Sequence, residues 1–372
     1  MKRPSVSIAM FAAVILYSLA QATPASAAPP TYRLTELGNN LAANQSLFAT
    51  GFNNLGEIAF TLSTGSTSQA YVWRNGHMTP LSGLSSLCGP NSNSASEGMN
   101  NLGEIVVAVF NSNDTCFNNY IWHAGTVTPI TGTLPPGYTE INADGLNDRA
   151  QVIGTVVARS PDGLGTESQF VWQNGQFTLL PPLPNGNMYY PGGATAFSIN
   201  DFGVIAGTSG IAPGYFQAVI WINAKIHDIG SCPGIPQSGA GSINNLGMVT
   251  GSCQNGDTWT PFVWQAGKFT ILPIPPNLPQ SATAGGLNDL GQIVGEQYPG
   301  NNAFGEGVAL LWENGNVYDL NTLISPKDPL KPYTTLLSAD TINIQGQILA
   351  QGVDSRVPNS PFQVTYLLTP VN

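Results

Sequence analysis

The chain has 372 residues, only 9% of them charged, with 42 Gly, 29 Pro and a formal net charge of −10. An average domain is about 25% charged, so uncharged polar groups must cover this surface, and long amphipathic helices, which need charged faces and few glycines, are excluded. A hydrophobic share of 42% with seven Trp excludes disorder, and 11 Lys+Arg against 21 Asp+Glu exclude nucleic acid as a partner.

In chain order, Lys2 and Arg3 precede an apolar run from Val6 to about Ala20, and small residues then lead to Ala25-Ser26-Ala27. This is the three-part pattern of a secretory signal peptide, expected to occupy residues 1–27 and to leave residues 28–372 as one exported domain. The apolar run is short for a membrane span, no later stretch is long enough for one, and no Cys follows the run to carry a lipid. A monomer in the bacterial periplasm or the extracellular medium is expected, with no transmembrane segment in the mature chain.

The first strand signal is Arg33-Leu34-Thr35-Glu36-Leu37, within residues 32–37. A unit then recurs seven times: Phe52-Asn53-Asn54-Leu55-Gly56, Met99-Asn100-Asn101-Leu102-Gly103, Leu146-Asn147-Asp148-Arg149-Ala150, Ile199-Asn200-Asp201-Phe202-Gly203, Ile243-Asn244-Asn245-Leu246-Gly247, Leu287-Asn288-Asp289-Leu290-Gly291 and Ile342-Asn343-Ile344-Gln345-Gly346. Successive Asn anchors stand 47, 47, 53, 44, 44 and 55 residues apart. A strand with small residues leads in (A). The Asn-x-x-Gly turn reverses the chain, Gly and Asn both being tolerant of positive φ. An apolar strand such as Gln292-Ile293-Val294-Gly295 follows (B). A third strand ends in Trp73, Trp122, Trp172, Trp221, Trp264 or Trp312 (C), with Leu368 in that place in the last unit, and a tight turn opens a fourth strand (D). The Trp residues read as packing knobs between units.

Four short antiparallel strands in about 40–55 residues are the signature of a propeller blade. The expected fold is all-β, a seven-bladed β-propeller of four-stranded antiparallel blades. The seventh unit ends after strand C, and residues 32–37 match the D strands, so the N-terminal strand should complete the last blade and close the ring. D is then the outer edge, where Pro80, Pro129, Asp228 and Asp319 discourage edge pairing.

The pattern A-x-x-I-N-x-x-G-x-V-x-G, followed by an aliphatic-aromatic-Trp strand and an N-G turn, resembles the bacterial extracellular HAF repeat family over essentially the whole mature chain. The His-Ala-Phe that names the family reads here as Gln69-Ala70-Tyr71, Asn119-Tyr120, Gln169-Phe170, Gln217-Ala218-Val219, Pro261-Phe262 and Val308-Ala309-Leu310. The resemblance implies a secreted, β-propeller-like protein and carries over no catalytic residues.

Loop lengths separate the two faces of the ring. The A–B and C–D turns hardly vary, whereas the B–C and D–A loops do, and variable loops on a rigid scaffold are where binding usually lies. Cys88 and Cys116 fall in the variable loops of blade two, Cys232 and Cys253 in those of blade five, which predicts disulfides Cys88–Cys116 and Cys232–Cys253. A metal reading has little support, because there is no C-x-x-C and His77, His123 and His227 lie near C–D turns or D strands. Aromatics gather in the variable loops: Tyr189, Tyr190, Tyr215, Phe216, Trp259, Tyr298 and Tyr333. On a charge-poor face they suit sugar rings or an extracellular or envelope protein, although loops folded back on their own aromatics would look the same.

Glu97, Asp144 and Asp340 stand three residues before the Asn anchor, where the other units have Thr50, Phe197, Gly241 and Gly285. Strand A lines a propeller's channel, so these acids are candidate acid–base residues or ligands of a hard cation such as Ca²⁺, with a solvated polar lining as the bland alternative. No nucleophile elbow, H-E-x-x-H, phosphate loop or EF-hand accompanies them. The expectation is an exported, non-enzymatic propeller without a cofactor that binds a carbohydrate or protein through its loop face. The alternatives are an exported hydrolase or lyase with these acids at the channel mouth, and a purely structural envelope scaffold.

Overall fold

The computed structural model describes residues 29–38, 41–42, 44–113, 115–158, 166–184, 186, 193–212, 214–299, 307–356 and 364–371; the signal-peptide assignment lies outside them. Among these residues are 28 strands in seven four-stranded antiparallel sheets, each in the order A-B-C-D, and one short helix, Leu320–Leu323. Blade one is typical, with strands Gln45–Phe52, Ile58–Thr64, Thr67–Arg74 and His77–Pro80.

The last blade is closed by the chain's first strand. Thr31–Leu37 pairs antiparallel with Val364–Val371, from Thr31 opposite Val371 to Leu37 opposite Thr365, and becomes strand D of blade seven. Leu34 lies opposite Leu368, and both are buried. The backbone N–H of Leu34 also donates to Asp328 Oδ2 (2.8 Å), tying the first strand to the loop between blades six and seven.

The apolar core sits between blades. One cluster joins Ala59, Ala70 and Val72 of blade one to Ile105, Val107 and Trp122 of blade two through Leu81 and Leu84. The repeated Trp lies opposite the first residue of strand B in six blades (Ile58 opposite Trp73, Val152 opposite Trp172), and Leu368 opposite Ile348 takes the place in the seventh. Its role exceeds that of a knob. The indole N–H groups of Trp122, Trp172, Trp221 and Trp312 donate to the carbonyls of Ser82, Thr131, Pro181 and Pro273, on the chain leading in from the preceding blade. Each buried ring thus brings its polar edge to an acceptor as well as its apolar area.

The two kinds of short turn use different chemistry. The C–D turns are two-residue hairpins with both central residues at positive φ, as at Asn75 (50°) and Gly76 (88°), which matches the twist of the flanking strands. In the A–B turns only the last residue is at positive φ: Gly56 at 77°, and Ala150 at 53° in the unit lacking the glycine. The expectation that the anchor Asn is also chosen for positive φ is corrected, since none of the seven is there. Asn is present for its side chain. Asn53 Oδ1 accepts from the N–H groups of Leu55 (3.0 Å) and Glu57 (2.9 Å), and the same pair recurs at each anchor, as at Asn244 from Leu246 and Met248.

Candidate functional site

The anchor amides close a ring. Nδ2 of Asn53 donates to the carbonyl of Asn100, Asn100 to Asn147, Asn147 to Asn200, Asn200 to Asn244, Asn244 to Asn288, Asn288 to Asn343 and Asn343 back to Asn53, at 2.8–3.3 Å. All seven side chains are buried, so each donor and acceptor must find a partner or be stranded. The next residue of each turn forms a second ring. The backbone N–H of Asn54 donates to Asn101 Oδ1, Asn101 to Asp148, Asp148 to Asp201, Asp201 to Asn245, Asn245 to Asp289 and Ile344 to Asn54, at 2.7–3.0 Å. It breaks between Asp289 and Ile344, because Ile344 offers no side-chain acceptor.

Inside the second ring lies a cavity of about 430 Å³ that opens on the short-turn face. Its mouth is formed by Asn54, Asn101, Asp148, Asp201, Asn245, Asp289 and Ile344, and its wall includes Thr50, Glu97, Asp144 and Phe197. Strand A is bulged in every blade at one position, as between Ser96 and Gly98, between Ala143 and Gly145, and between Ala339 and Thr341. The bulged residues are those expected to line the channel: Thr50, Glu97, Asp144, Phe197, Gly241, Gly285 and Asp340. A bulge turns its extra side chain out of the sheet's alternation, which is how Thr50, Glu97, Asp144 and Phe197 come to the cavity wall.

The channel is asymmetric. Blades two and three present Glu97 and Asp144 side by side, blade four presents the exposed ring of Phe197, and blades five and six present no side chain. A Cβ at Gly241 or Gly285 would meet nothing nearer than 3.5 Å, so these glycines leave space that the backbone does not demand. Crowding by protein atoms pushes the Glu97 carboxyl up from its ordinary 4.5 to about 7, with repulsion from Asp144 adding to it. Asp144 opens to the channel, yet the surrounding walls raise it from 3.8 to about 6. Asp340 has a different setting: burial raises it, while Gln351 Nε2 (2.9 Å) and Ser338 Oγ (3.3 Å) donate to its carboxylate and oppose the rise. Its acidic neighbour is Glu296, raised by burial and by Asp340 and lowered by the hydroxyl of Tyr298, which donates to it. The three sequence-predicted acids thus fall into two neighbourhoods, Glu97 with Asp144 and Asp340 with Glu296. Among the described residues no group of three or more His, Cys, Asp or Glu is arranged to hold a metal ion.

On the opposite face, both predicted disulfides are present, Cys88–Cys116 and Cys232–Cys253, with Cα separations of 5.5 and 5.9 Å. Of the predicted loop aromatics, Tyr189 and Tyr190 lie outside the described residues. Tyr215 is exposed at the start of its strand C, and Phe216 is half-buried, near Gly239 of blade five. Trp259 is half-buried in its strand, with its backbone N–H on Ser281 Oγ (3.0 Å). Tyr298 is engaged with Glu296, and burial followed by that contact lifts its hydroxyl from 10.0 to about 12. Tyr333 is exposed, but Arg356 covers one face of its ring at 5.3 Å.

Sequence reasoning passed over a groove of about 530 Å³ at the boundary of blades one and two. Its wall carries Gln45, Gln69, Ser85, Asn91, Asn93 and Tyr71, and no ionisable side chain other than that phenol. Tyr71 is half-buried, with its hydroxyl on Gln69 Oε1 (3.1 Å). The available signal was the run of Ser and Asn between Ser82 and Ser94 opposite Gln69 and Tyr71, but which loop faces which strand depends on the ring.

Seven four-stranded blades in a closed ring make the protein a seven-bladed β-propeller. It is similar in structure to the acylaminoacyl peptidase of Pyrococcus horikoshii, at TM-score 0.51 and 10% identity over 82% of this chain and 49% of the peptidase. It is also similar to a fungal alcohol oxidase of the AA5 family in complex with copper, at TM-score 0.50 and 11% identity over 92% and 76% of the two chains. The β-propeller domain of the Trilobed protease from Pyrococcus furiosus matches at TM-score 0.49 and 12% identity, over 77% of this chain and 83% of that one. At such identities the likeness concerns the fold alone. No family model matches the chain, and no curated protein matches its sequence. No described helix is long and apolar enough to cross a membrane.

Proposed function

We propose that this is an exported, non-enzymatic binding propeller that recognises a carbohydrate on its loop face. The observation that carries the reading is the groove between blades one and two. Hydroxyls, amides and one phenol share its wall with Leu62, Pro80, Leu81 and Leu84, a mixture of hydrogen-bonding and apolar surface that matches the two kinds of face on a neutral sugar, with Tyr71 offering an aromatic edge. Export is supported by the two disulfides, by the N-terminal pattern and by the resemblance to extracellular HAF repeat proteins. Tyr215, Trp259 and Tyr333 lie on the same face and would extend contact with a longer chain. A glycan array tests the reading. Wild-type protein should retain a neutral oligosaccharide, and Gln69→Ala with Tyr71→Leu should lose it while the melting transition persists. Retention of no glycan, or unchanged binding by that variant, would overturn it.

One observation favours a second reading, an exported hydrolase or lyase. Glu97 and Asp144 are neighbours on one cavity wall, and burial raises both carboxyls towards neutrality, where a carboxyl can serve as general acid or base. The same pair is the place where a hard cation such as Ca²⁺ would be sought. Loss of a measured turnover in Asp144→Asn, with glycan retention intact, would move the assignment to the channel.

A further inference from the structure

The short-turn face carries a feature that the loop-face function does not use. The third residue of the A–B turn is apolar in five of the seven blades: Leu55, Leu102, Phe202, Leu246 and Leu290. All five are exposed, from 56% for Leu102 to 71% for Leu55. They stand one residue beyond the mouth positions and outside the cavity wall, so they crown the channel opening. Nothing in the turn requires an apolar side chain there. Arg149 stands at that position in blade three and Gln345 in blade seven, and Arg149 lies over the Phe202 ring at 5.6 Å. Recurring large exposed apolar residues around one opening mark an interaction surface rather than scattered surface hydrophobes.

Charge decides what covers it. Within the crown, the mouth holds the carboxylates of Asp148, Asp201 and Asp289, with Glu97 and Asp144 behind them. Among the described residues none of these five is in an ion pair; the three mouth carboxylates accept only from backbone N–H groups and from the amides of Asn101 and Asn245. A second copy of the chain would set these carboxylates against their like, and an anionic lipid surface would meet the same repulsion from a protein of net charge −10. A partner bringing positive charge to the centre and apolar surface to the rim meets neither cost.

We propose that the short-turn face docks a partner protein through a segment in which a lysine or arginine is flanked by aliphatic or aromatic residues. The cationic side chain enters the mouth between Asp148, Asp201 and Asp289, and its neighbours lie on the crown. This docking is independent of the glycan reading, since it uses the other end of the ring and other residues.

Panning a disulfide-cyclised peptide library against the immobilised full-length protein tests it. Enriched peptides should carry Lys or Arg beside Leu, Ile, Phe or Trp and should weaken as NaCl is raised. Each of two variants, Leu102→Ser with Leu246→Ser and Asp148→Asn with Asp201→Asn, should weaken binding by roughly tenfold. The first changes only exposed side chains, so its melting temperature should be unchanged and the loss reports the surface itself. Enrichment of peptides without a cation, binding that both variants leave intact, or no enrichment overturns the proposal. So does a wild-type dimer in sedimentation, or binding to phosphatidylglycerol vesicles, that the crown variant abolishes.

Discussion

On the short-turn face the same anchor hydrogen bonds recur at every blade, whereas on the loop face the fastening differs from one blade to the next, and only blades two and five share a device among the described residues. The seven anchor amides are linked all the way round, each also capping its own turn. The loop face depends instead on local devices, a disulfide in blade two, another in blade five, and the capped helix Leu320–Leu323 before blade seven. The difference shows how a chain with few charges stays ordered. Amides do the work usually given to ion pairs, and a neutral network avoids the cost of burying charge. It also frees the loops to vary wherever they do not hold the closing strand, as the loop before blade seven does through Asp328.

The contrast can be broken most severely at the anchors. Replacing Asn244 by Ala strands the N–H groups of Leu246 and Met248 and the carbonyl of Asn288. The loss should be at least about 3 kcal/mol, read from the urea midpoint at constant slope. Tyr215→Ala on the loop face should stay within about 0.5 kcal/mol of wild type. Comparable losses in the two would refute the division. Next in size are the staples. Replacing Cys232 and Cys253 together by Ser opens a loop of sequence separation 21 and should cost about 3 kcal/mol in the chain-entropy account. Because the staple is local, the seven-bladed ring should survive, as judged by an unchanged far-UV spectrum below the transition.

A pH series sharpens the comparison at the channel. The Glu97 carboxyl is raised from 4.5 to about 7 and that of Asp144 from 3.8 to about 6 in the folded protein, so the folded state holds more protons than the unfolded chain between those values. Their neutral forms are accommodated fully below about pH 4, and stability should fall as pH rises from there to about 7. Glu97→Gln should flatten the fall and raise the urea midpoint at pH 8 more than at pH 4. A midpoint difference that does not change with pH would contradict the assigned causes. Smallest is Ala150→Gly. Ala150 occupies a left-handed conformation at φ 53° where six blades have Gly, and relief of that strain should stabilise by about 0.5–1 kcal/mol.

The architecture was legible because turn grammar is local. Asn75-Gly76 encodes its own hairpin, and Arg33 to Leu37 resembles the strands it substitutes for, so blade count, strand order, ring closure and both disulfides could be read before any coordinates. The task of the anchor Asn was not legible. Its Nδ2 reaches a carbonyl 44 residues away in blades four and five and 290 residues away at closure, and local rules supply only its tolerance of turns. The pairing of Asp340 with Glu296 was hidden for the same reason, because strand B of one blade meets strand A of the next only in the ring. The apolar crown was written in the repeat itself, as Leu55, Leu102, Phe202, Leu246 and Leu290, but a turn residue draws notice only once its exposure is known.

The division of the two faces is tested most directly by one crossed glycan-array measurement on three proteins: wild type, Gln69→Ala with Tyr71→Leu, and Leu102→Ser with Leu246→Ser. The account predicts that the groove variant loses glycan retention while the crown variant keeps it at the wild-type level. Retention lost in the crown variant and kept in the groove variant would contradict it.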